Sequence, residues 1–589
     1  MVIPPKRIWT RRRLVAGSAA AGGAGVVAAG FWLRGSDGED RGGAPISPTR
    51  APTSMPPTPA PTSRPVGGVP RISAAARLNF DTFDALRTVE RSVEEVLGRT
   101  HSRVVQWTPG NGEIEADLGA EWEQVDELTL RVRRNERAVW QARGAIQGRP
   151  LLSEDIGRHF ARLLDLRAAG QLSGALSREF ARLARVSVPG DGSILFETDK
   201  PDPLFPAALA SRFALVQSPE AADVFASTWH QQEPESVVGT GPFVFDGFIN
   251  GWLSFRAHIG AHRPAFVEGL RIGQPHGVGA AARARFAARE LDVFLARDRR
   301  DVEALETEPR VSRERRFEEN ATISTVFAGA PPWSNLNLLR AVSVALNRPE
   351  LVRRLHGALA VPSGPVAPVY DGFGVPEREL ISKAGYRSDF AVDIADARAL
   401  WSAGGGEGLG AVTVDFPSTY DPLYSASSVV CGLLNEALGV SQFVPAVHQY
   451  TVISAKAVAF EYGSGRPALW FGWGPPFESP DPTRYLIETF RTGAAGWAPQ
   501  GMTVPGLDGV LDRLAAAFEF EERQALAREA DGLLLDAGGA GVFPWLVQTG
   551  ERFRRDYLEL APPTPFWGAA WDSGMTMDVE AAAADGRPA

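Results

Sequence analysis

The sequence predicts an α/β protein, and three patterns carry that reading. From Val412 onward, strand and helix signals interleave: Val412–Phe416, the helix Ser425–Leu438, Phe443–Tyr450, Ala468–Trp473 and the helix Arg523–Leu535, after which Phe543–Val547 starts the return toward the first part of the chain. Strands mixed with helices in this way build a lobe around a parallel or mixed sheet. Leu128, Leu130 and Val132 alternate with polar residues, the period-2 pattern of a half-buried strand. Leu338, Val342, Ala345 and Leu346 fall on one helical face within Leu336–Leu351. At 589 residues the chain is long enough for two or three units with cores of their own.

Composition narrows the function. Apolar residues make up 44% and charged residues 22%, as in soluble globular proteins. A net charge of −9, with no basic block beyond the N-terminus, argues against a nucleic-acid surface. Cys431 is the single cysteine, so no intramolecular disulfide forms. Its neighbours Val429, Val430, Leu433 and Leu434 predict a buried helical thiol rather than a nucleophile. The sequence has no G-x-S-x-G and no H-E-x-x-H, so no enzyme and no cofactor are expected. His258 and His262 would suit a metal if they shared a helix. Gly260 between them and Pro264 after them oppose one, so no metal is assigned. His230-Gln231-Gln232-Glu233 is a fragment of a metal motif and reads as a surface loop.

Arg11-Arg12-Arg13 precedes an uncharged stretch from Leu14 to Leu33 made largely of Ala and Gly. A twin arginine before a weakly apolar run resembles a Tat export signal, so residues 1–35 are expected to place the protein outside the cytoplasm. Ala28-Ala29-Gly30 offers a cleavage site, and roughly 20 apolar residues also suffice for a membrane anchor. Both outcomes stay open. No cysteine follows the run, which rules out a lipid anchor there. Residues 36–70, rich in Pro, Thr, Ser and Gly, form an extended linker.

Folding is expected to begin near Arg71, with a helix over Arg87–Leu97 and a β-rich block over Ile114–Glu123 and Leu128–Arg133. Ser153, followed by Glu154 and Asp155, predicts an N-cap for a helix reaching Leu166. Asp191-Gly192-Ser193 turns into the strand Ile194–Glu197, and Pro203–Pro206 leads into a further helix. In Val237–Phe245, two glycines and a proline make a rigid turn where backbone can pass and a side chain would clash. Phe243-Val244-Phe245 then starts a strand, which Asn250-Gly251 returns as a hairpin through Leu253–Arg256.

Gly239-Thr240-Gly241-Pro242-Phe243 lacks the lysine of a phosphate-binding loop. It closely resembles the GTGPY/F segment of family 5 of the extracytoplasmic solute-binding proteins of ABC transporters, which includes oligopeptide, dipeptide and nickel binders. Other phrases follow that family's order: Leu78–Asp84 as the opening strand, Leu118–Glu123, Pro150–Ile156, Leu291–Phe294, Leu336–Leu351 with Asn347 where Asp is usual, and Asp393–Gly404. The resemblance covers roughly Arg71 to Trp571. It implies a two-lobed periplasmic-binding-protein fold, type II and of the large peptide-binding class, with mixed sheets and a hinge. Lobe I would span 71–300 with an extra β-rich subdomain, lobe II 301–545, a return to lobe I 546–577 and a tail 578–589. It also implies a monomer, periplasmic or tethered to the inner membrane, that captures a small solute and delivers it to ABC permease subunits. The solute would be peptide-like, a sugar or another small molecule. The alternative is a tethered sensor or interaction protein that keeps the fold without transport.

By resemblance, two segments of lobe II meet the ligand. In dipeptide binders the phrase matching Ser418-Thr419-Tyr420-Asp421-Pro422 begins with an arginine that grips the ligand carboxylate, and here Ser418 stands there. The second segment runs from Gly472 to Pro482, where the relatives' aspartate for the ligand's α-amino group is replaced by Pro476 and their tyrosine by Phe477. A buried ligand ammonium without a counter-charge is costly. Either Glu478 takes over, or the ligand is not an ordinary free peptide, and the second is the reading adopted. Trp473, Phe477, Tyr420 and Trp107 would supply an aromatic surface for a sugar, an amidated peptide or an apolar solute.

Overall fold

The computed structural model describes residues 67–588 apart from 74–79, 89, 109–112, 144–145, 147, 274–279, 297–298, 327–328, 419–422, 459–467, 478, 494–502 and 561–573. The expected N-terminal signal and most of the expected linker therefore lie outside the described residues.

One mixed sheet of eleven strands organises the chain. In chain order these are β1 (Arg71–Ser73), β2 (Phe243–Ile249), β3 (Trp252–Ala257), β4 (Gly269–Gly273), β5 (Val293–Ala296), β6 (Val311–Thr325), β7 (Ala360–Pro362), β8 (Val412–Pro417), β9 (Phe443–His448), β10 (Ala468–Pro476) and β11 (Val542–Arg555). Across the sheet they lie in the order β9-β8-β10-β6-β11-β5-β1-β4-β3-β2, with β7 paired to β11. The long strands β6 and β11 pair antiparallel from Thr325 opposite Val542 to Val311 opposite Arg555, with register shifts between Phe317 and Ala321 and between Thr322 and Ile323. They are the strands that connect the two lobes.

On one side of that pair, Val93, Phe160, Phe196, Trp140 and Trp229 are buried in the core of lobe I. Residues near the C-terminus, Tyr557, Leu558 and Met577, join the same core. A separate four-stranded sheet, Gly119–Asp126, Thr129–Arg134, Ser193–Thr198 and Leu183–Ser187, supplies the β-rich block. On the other side, Val414, Phe416, Leu469 and Phe471 pack beneath the helices Leu336–Ala345, Phe390–Ala403 and Leu423–Leu438. A further core beside them gathers Ile323, Phe373, Leu511 and Leu534.

Local chemistry explains most boundaries. Asn250 and Gly251 adopt φ of 52° and 83°, and Ile249 pairs with Trp252, which is a two-residue hairpin turn. The Leu336–Leu351 run divides into the helices Leu336–Ala345 and Arg348–Leu355. Pro349 cannot donate a backbone N–H to a continuing helix, and Asn347 Oδ1 accepts from Glu350 N at 2.9 Å to cap the second one. Ser153 is the first helical residue rather than the cap. Asp155 accepts from Leu152 N at 2.9 Å, while Ser153 Oγ donates to Gly192 O at 2.7 Å. The opening strand is Arg71–Ser73, pinned by Arg71 N donating to Asp292 Oδ2 at 2.7 Å, and residues 80–84 form no strand. Phe443–Tyr450 ends as a strand at His448, and Tyr450 begins a helix to Val458. No described helix is long and apolar enough to cross a membrane.

Candidate functional site

The sheet registers locate a rim between the lobes. β8 runs parallel to both β9 and β10, so all three end on the same side, at Pro417, His448 and Pro476. β10 is antiparallel to β6, with Trp470 opposite Thr325 and Pro476 opposite Asn320. β6 continues past Asn320 toward Val311, where its partner β11 also pairs with β5 of lobe I. The carboxyl ends of β8, β9 and β10 therefore face lobe I. In open α/β sheets, ligands bind at the carboxyl ends of the strands.

A polar cluster occupies this rim. Val412, Val414 and Phe416 face the lobe II core, so period 2 sends Asp415 to the opposite face, level with Trp470 of β10. There the helix Tyr450–Val458 covers it, with Ile453 packed on Trp470. Asp415 is 1% exposed, and a buried carboxylate needs a partner. Lys456 Nζ donates to Asp415 Oδ2 at 2.9 Å and stands 3.3 Å from His448 Nε2, which is 3.2 Å from Asp415 Oδ1. The Lys456 and His448 side chains remain 26% and 31% exposed. Ser418 N donates to His448 O at 2.7 Å. The Ser418 Oγ is buried, with no hydrogen-bond partner among the described residues.

The residues expected at the ligand are distributed as follows. Ser418 sits on the rim. Trp473 and Pro476 belong to the end of β10, opposite Thr322 and Asn320. Phe477, 5% exposed, packs edge-on against Tyr370 with ring centroids 5.4 Å apart, inside the core that holds Leu486 and Phe490. Trp107, 7% exposed, packs in the lobe I core. Tyr420 and Glu478 lie outside the described residues. Asp481 turns into the fold, accepting from Thr483 N at 2.9 Å and from Arg523 Nε at 2.7 Å. His258 Nδ1 contacts Gly241 O at 2.9 Å and His262 Nε2 contacts Asp117 Oδ1 at 2.7 Å, so the two rings serve separate contacts. Among the described residues no three His, Cys, Asp or Glu side chains converge as metal ligands would.

Sequence reasoning missed Asp415, His448 and Lys456. The available signal was an aspartate inside an apolar strand, Val412-Thr413-Val414-Asp415-Phe416, which demands a cation from elsewhere in the chain.

Residues 113–485, well over half of the chain, match the model of bacterial extracellular solute-binding proteins, family 5 (middle). No curated protein matches the sequence. Among solved structures, the chain resembles the ABC transporter-associated periplasmic binding protein DppA from Helicobacter pylori in complex with the peptide STSA. The TM-score is 0.70 at 17% identity, over 87% of this chain and 99% of that one. HbpA2 from Haemophilus parasuis gives a TM-score of 0.70 at 16% identity, covering 87% and 100%. MoaA from Agrobacterium tumefaciens R10, in complex with mannopinic acid, gives 0.65 at 15%, covering 87% and 100%. At these identities the likeness establishes the fold: two lobes of the type II periplasmic-binding class.

Proposed function

The chain belongs to family 5 of the bacterial extracellular solute-binding proteins, and from that premise we propose that it presents to an ABC permease a solute other than an ordinary free peptide. Proteins of this family bind solutes outside the cytoplasm, which is where the twin-arginine segment at Arg11-Arg12-Arg13 would send this one. On this reading the protein acts as a monomer, cleaved free or held by residues 1–35. Its ligand lies between a first lobe over 71–300 and a second over 301–545, with the chain returning to lobe I from 546.

The observation that carries the ligand reading is Ser418 at the carboxyl end of β8. The position at which dipeptide binders resemble this chain but carry a gripping arginine has only a short hydroxyl, buried at the rim. A serine cannot form the two-pronged ionic contact of a guanidinium. Pro476 and Phe477 likewise carry no charge for a ligand ammonium. A zwitterionic peptide would thus bury both of its ends without their usual partners. The spread of ligands among similar folds, from a peptide to mannopinic acid, is compatible with a site retuned on a common frame.

A thermal-shift screen of the full chain against free peptides, amidated peptides, sugars and organic acids tests this. A ligand at a hundred times its dissociation constant adds about 2.7 kcal/mol of stability, a readable shift. Stabilisation by a non-peptide class supports the proposal, and stabilisation by free dipeptides alone refutes it. A folded protein that answers to nothing in the screen would favour a sensor that keeps the fold without uptake.

A further inference from the structure

We propose that the cluster at the carboxyl ends of β8 and β9 is the anion end of the ligand site. In this assignment the solute is an organic acid without an ammonium group, its carboxylate taken by Lys456 Nζ and Ser418 Oγ. The inference rests on the solute-binding reading and names the substrate class for that same crevice.

Two donors at the rim lack acceptors. Lysine carries three N–H groups. One of those on Lys456 goes to Asp415 Oδ2 at 2.9 Å and one faces His448 Nε2 at 3.3 Å, and the third has no partner among the described residues. Ser418 Oγ is buried, also without a partner. The two are neighbours through one residue: His448 accepts Ser418 N–H on its backbone oxygen, and its ring meets the ammonium. A carboxylate has two oxygens and accepts from donors only, so it matches a paired ammonium and hydroxyl better than an amide or an ether does.

Asp415 supports this use. As a carboxylate it offers no donor to an acid, but it fixes the ammonium in position. The cation lost at position 418 is thereby supplied at the same rim from a different element, the helix Tyr450–Val458. At the end of β10, Pro476 and Phe477 offer no counter-charge to an ammonium. Sugar acids and N-acylated amino acids have this combination of one acid group and no amine.

The competing account is structural: Lys456 only neutralises Asp415 and docks its helix. Calorimetry on the full chain separates the two. The probes are glucuronate beside glucose, galacturonate beside galactose, N-acetyl-leucine beside its amide, and the free dipeptide Leu-Leu. At least one acid is expected to bind ten or more times tighter than its neutral partner. Lys456→Met should erase that preference, and Lys456→Arg should keep part of it. Because Lys456→Met leaves Asp415 buried without a cation, Asp415→Asn/Lys456→Met serves as the variant with no unpaired charge, and it should lose the preference equally. Neutral or zwitterionic probes that bind as tightly as the acids would overturn the proposal while leaving solute binding intact, as would an acid whose affinity survives both Lys456→Met and the double variant. Saturable binding by none of the probes would overturn it together with the reading beneath it.

Discussion

Gly239 passes the carbonyl of Thr100 so closely that a β-carbon built on it would stand 2.0 Å from that oxygen. Gly241 is in the same position, with a β-carbon falling 2.7 Å from the Thr100 carbonyl carbon. The contact is a junction. Gly241 N donates to Thr100 O at 2.9 Å, and Gln141 Nε2 donates both to Thr100 O at 3.0 Å and to Phe243 O at 2.7 Å. The segment most diagnostic of the family thus joins the helix Arg91–Thr100 to β2, and its glycines answer to backbone rather than ligand. Gly239→Ala should lower unfolding stability by about 3 kcal/mol or prevent folding, because backbone on both sides cannot relax as a side chain would. Gly509 is the control: it is exposed within the helix Leu507–Ala516 with nothing near its missing β-carbon. Gly509→Ala should stabilise by about 0.5–1 kcal/mol. Denaturant melts of both variants decide.

Acid should weaken the fold through two buried histidines. Burial pushes His101 down to about 4 and His159 down to about 3, from an ordinary 6.5. In both cases the unfolded chain takes up the proton first, so their contribution is intact above pH 6.5 and is lost as pH falls toward 4 and 3. At pH 5 each costs about 2 kcal/mol. Asp531 works in the opposite direction. Burial raises its carboxyl to about 6, so protonation relieves a penalty of about 1 kcal/mol over the same range. The net expectation is a melting temperature that falls steadily from pH 7 to pH 5. His159→Gln should flatten the fall by about two-thirds, and an unchanged slope would show that His159 is not the group titrating.

Cys431 should be silent until the protein unfolds. It is 3% exposed on the helix Leu423–Leu438, and burial pushes its thiol up to about 12. The thiolate is the reactive form, and at pH 8 about one part in ten thousand would be present. Ellman's reagent is expected to release no colour from the native chain and one equivalent in denaturant. Fast native labelling would contradict the packing of lobe II around this residue.

Short-range chemistry was legible in the sequence and long-range pairing was not. Asn250-Gly251 announced its hairpin because few other dipeptides accept two positive φ angles. The alternation at Leu130 and Val132 held, with exposures of 3% and 0%, whereas Leu128, at 40%, sits in the turn before the strand. Ser153 looked like a cap because the rule is local. Asp155 took that role, since its carboxylate also receives Trp140 Nε1 at 3.0 Å and Arg149 from outside the helix. At the rim, position 418 could be recognised from its neighbours in sequence. Its actual surroundings could not, because Asp415, His448 and Lys456 are brought together by the parallel pairing of β8 with β9 and by the helix that follows.

One ion pair spans the gap between the lobes and should bias their closure. Arg178 of the helix Gly174–Glu179 in lobe I stands 3.4 Å from Glu488 of the helix Thr483–Phe490 in lobe II. Arg484, on the same lobe II helix, lies within electrostatic reach of Asp202 in lobe I, whose carboxyl burial raises. The Arg178 and Glu488 side chains are 51% and 36% exposed, so the pair contributes about 0.2–1 kcal/mol and is screened by salt. That is negligible against global stability. Against an opening equilibrium of a few kcal/mol it shifts populations up to about fivefold. Arg178→Glu places like charges across the gap and should increase the radius of gyration in small-angle scattering at low salt, with no loss of melting temperature. Glu488→Arg added to it restores opposite signs and should return the protein to its compact form. In 1 M salt, where the screening length is about 3 Å, all three proteins should scatter alike. A persistent difference there would mean that the substitution acts through packing rather than charge.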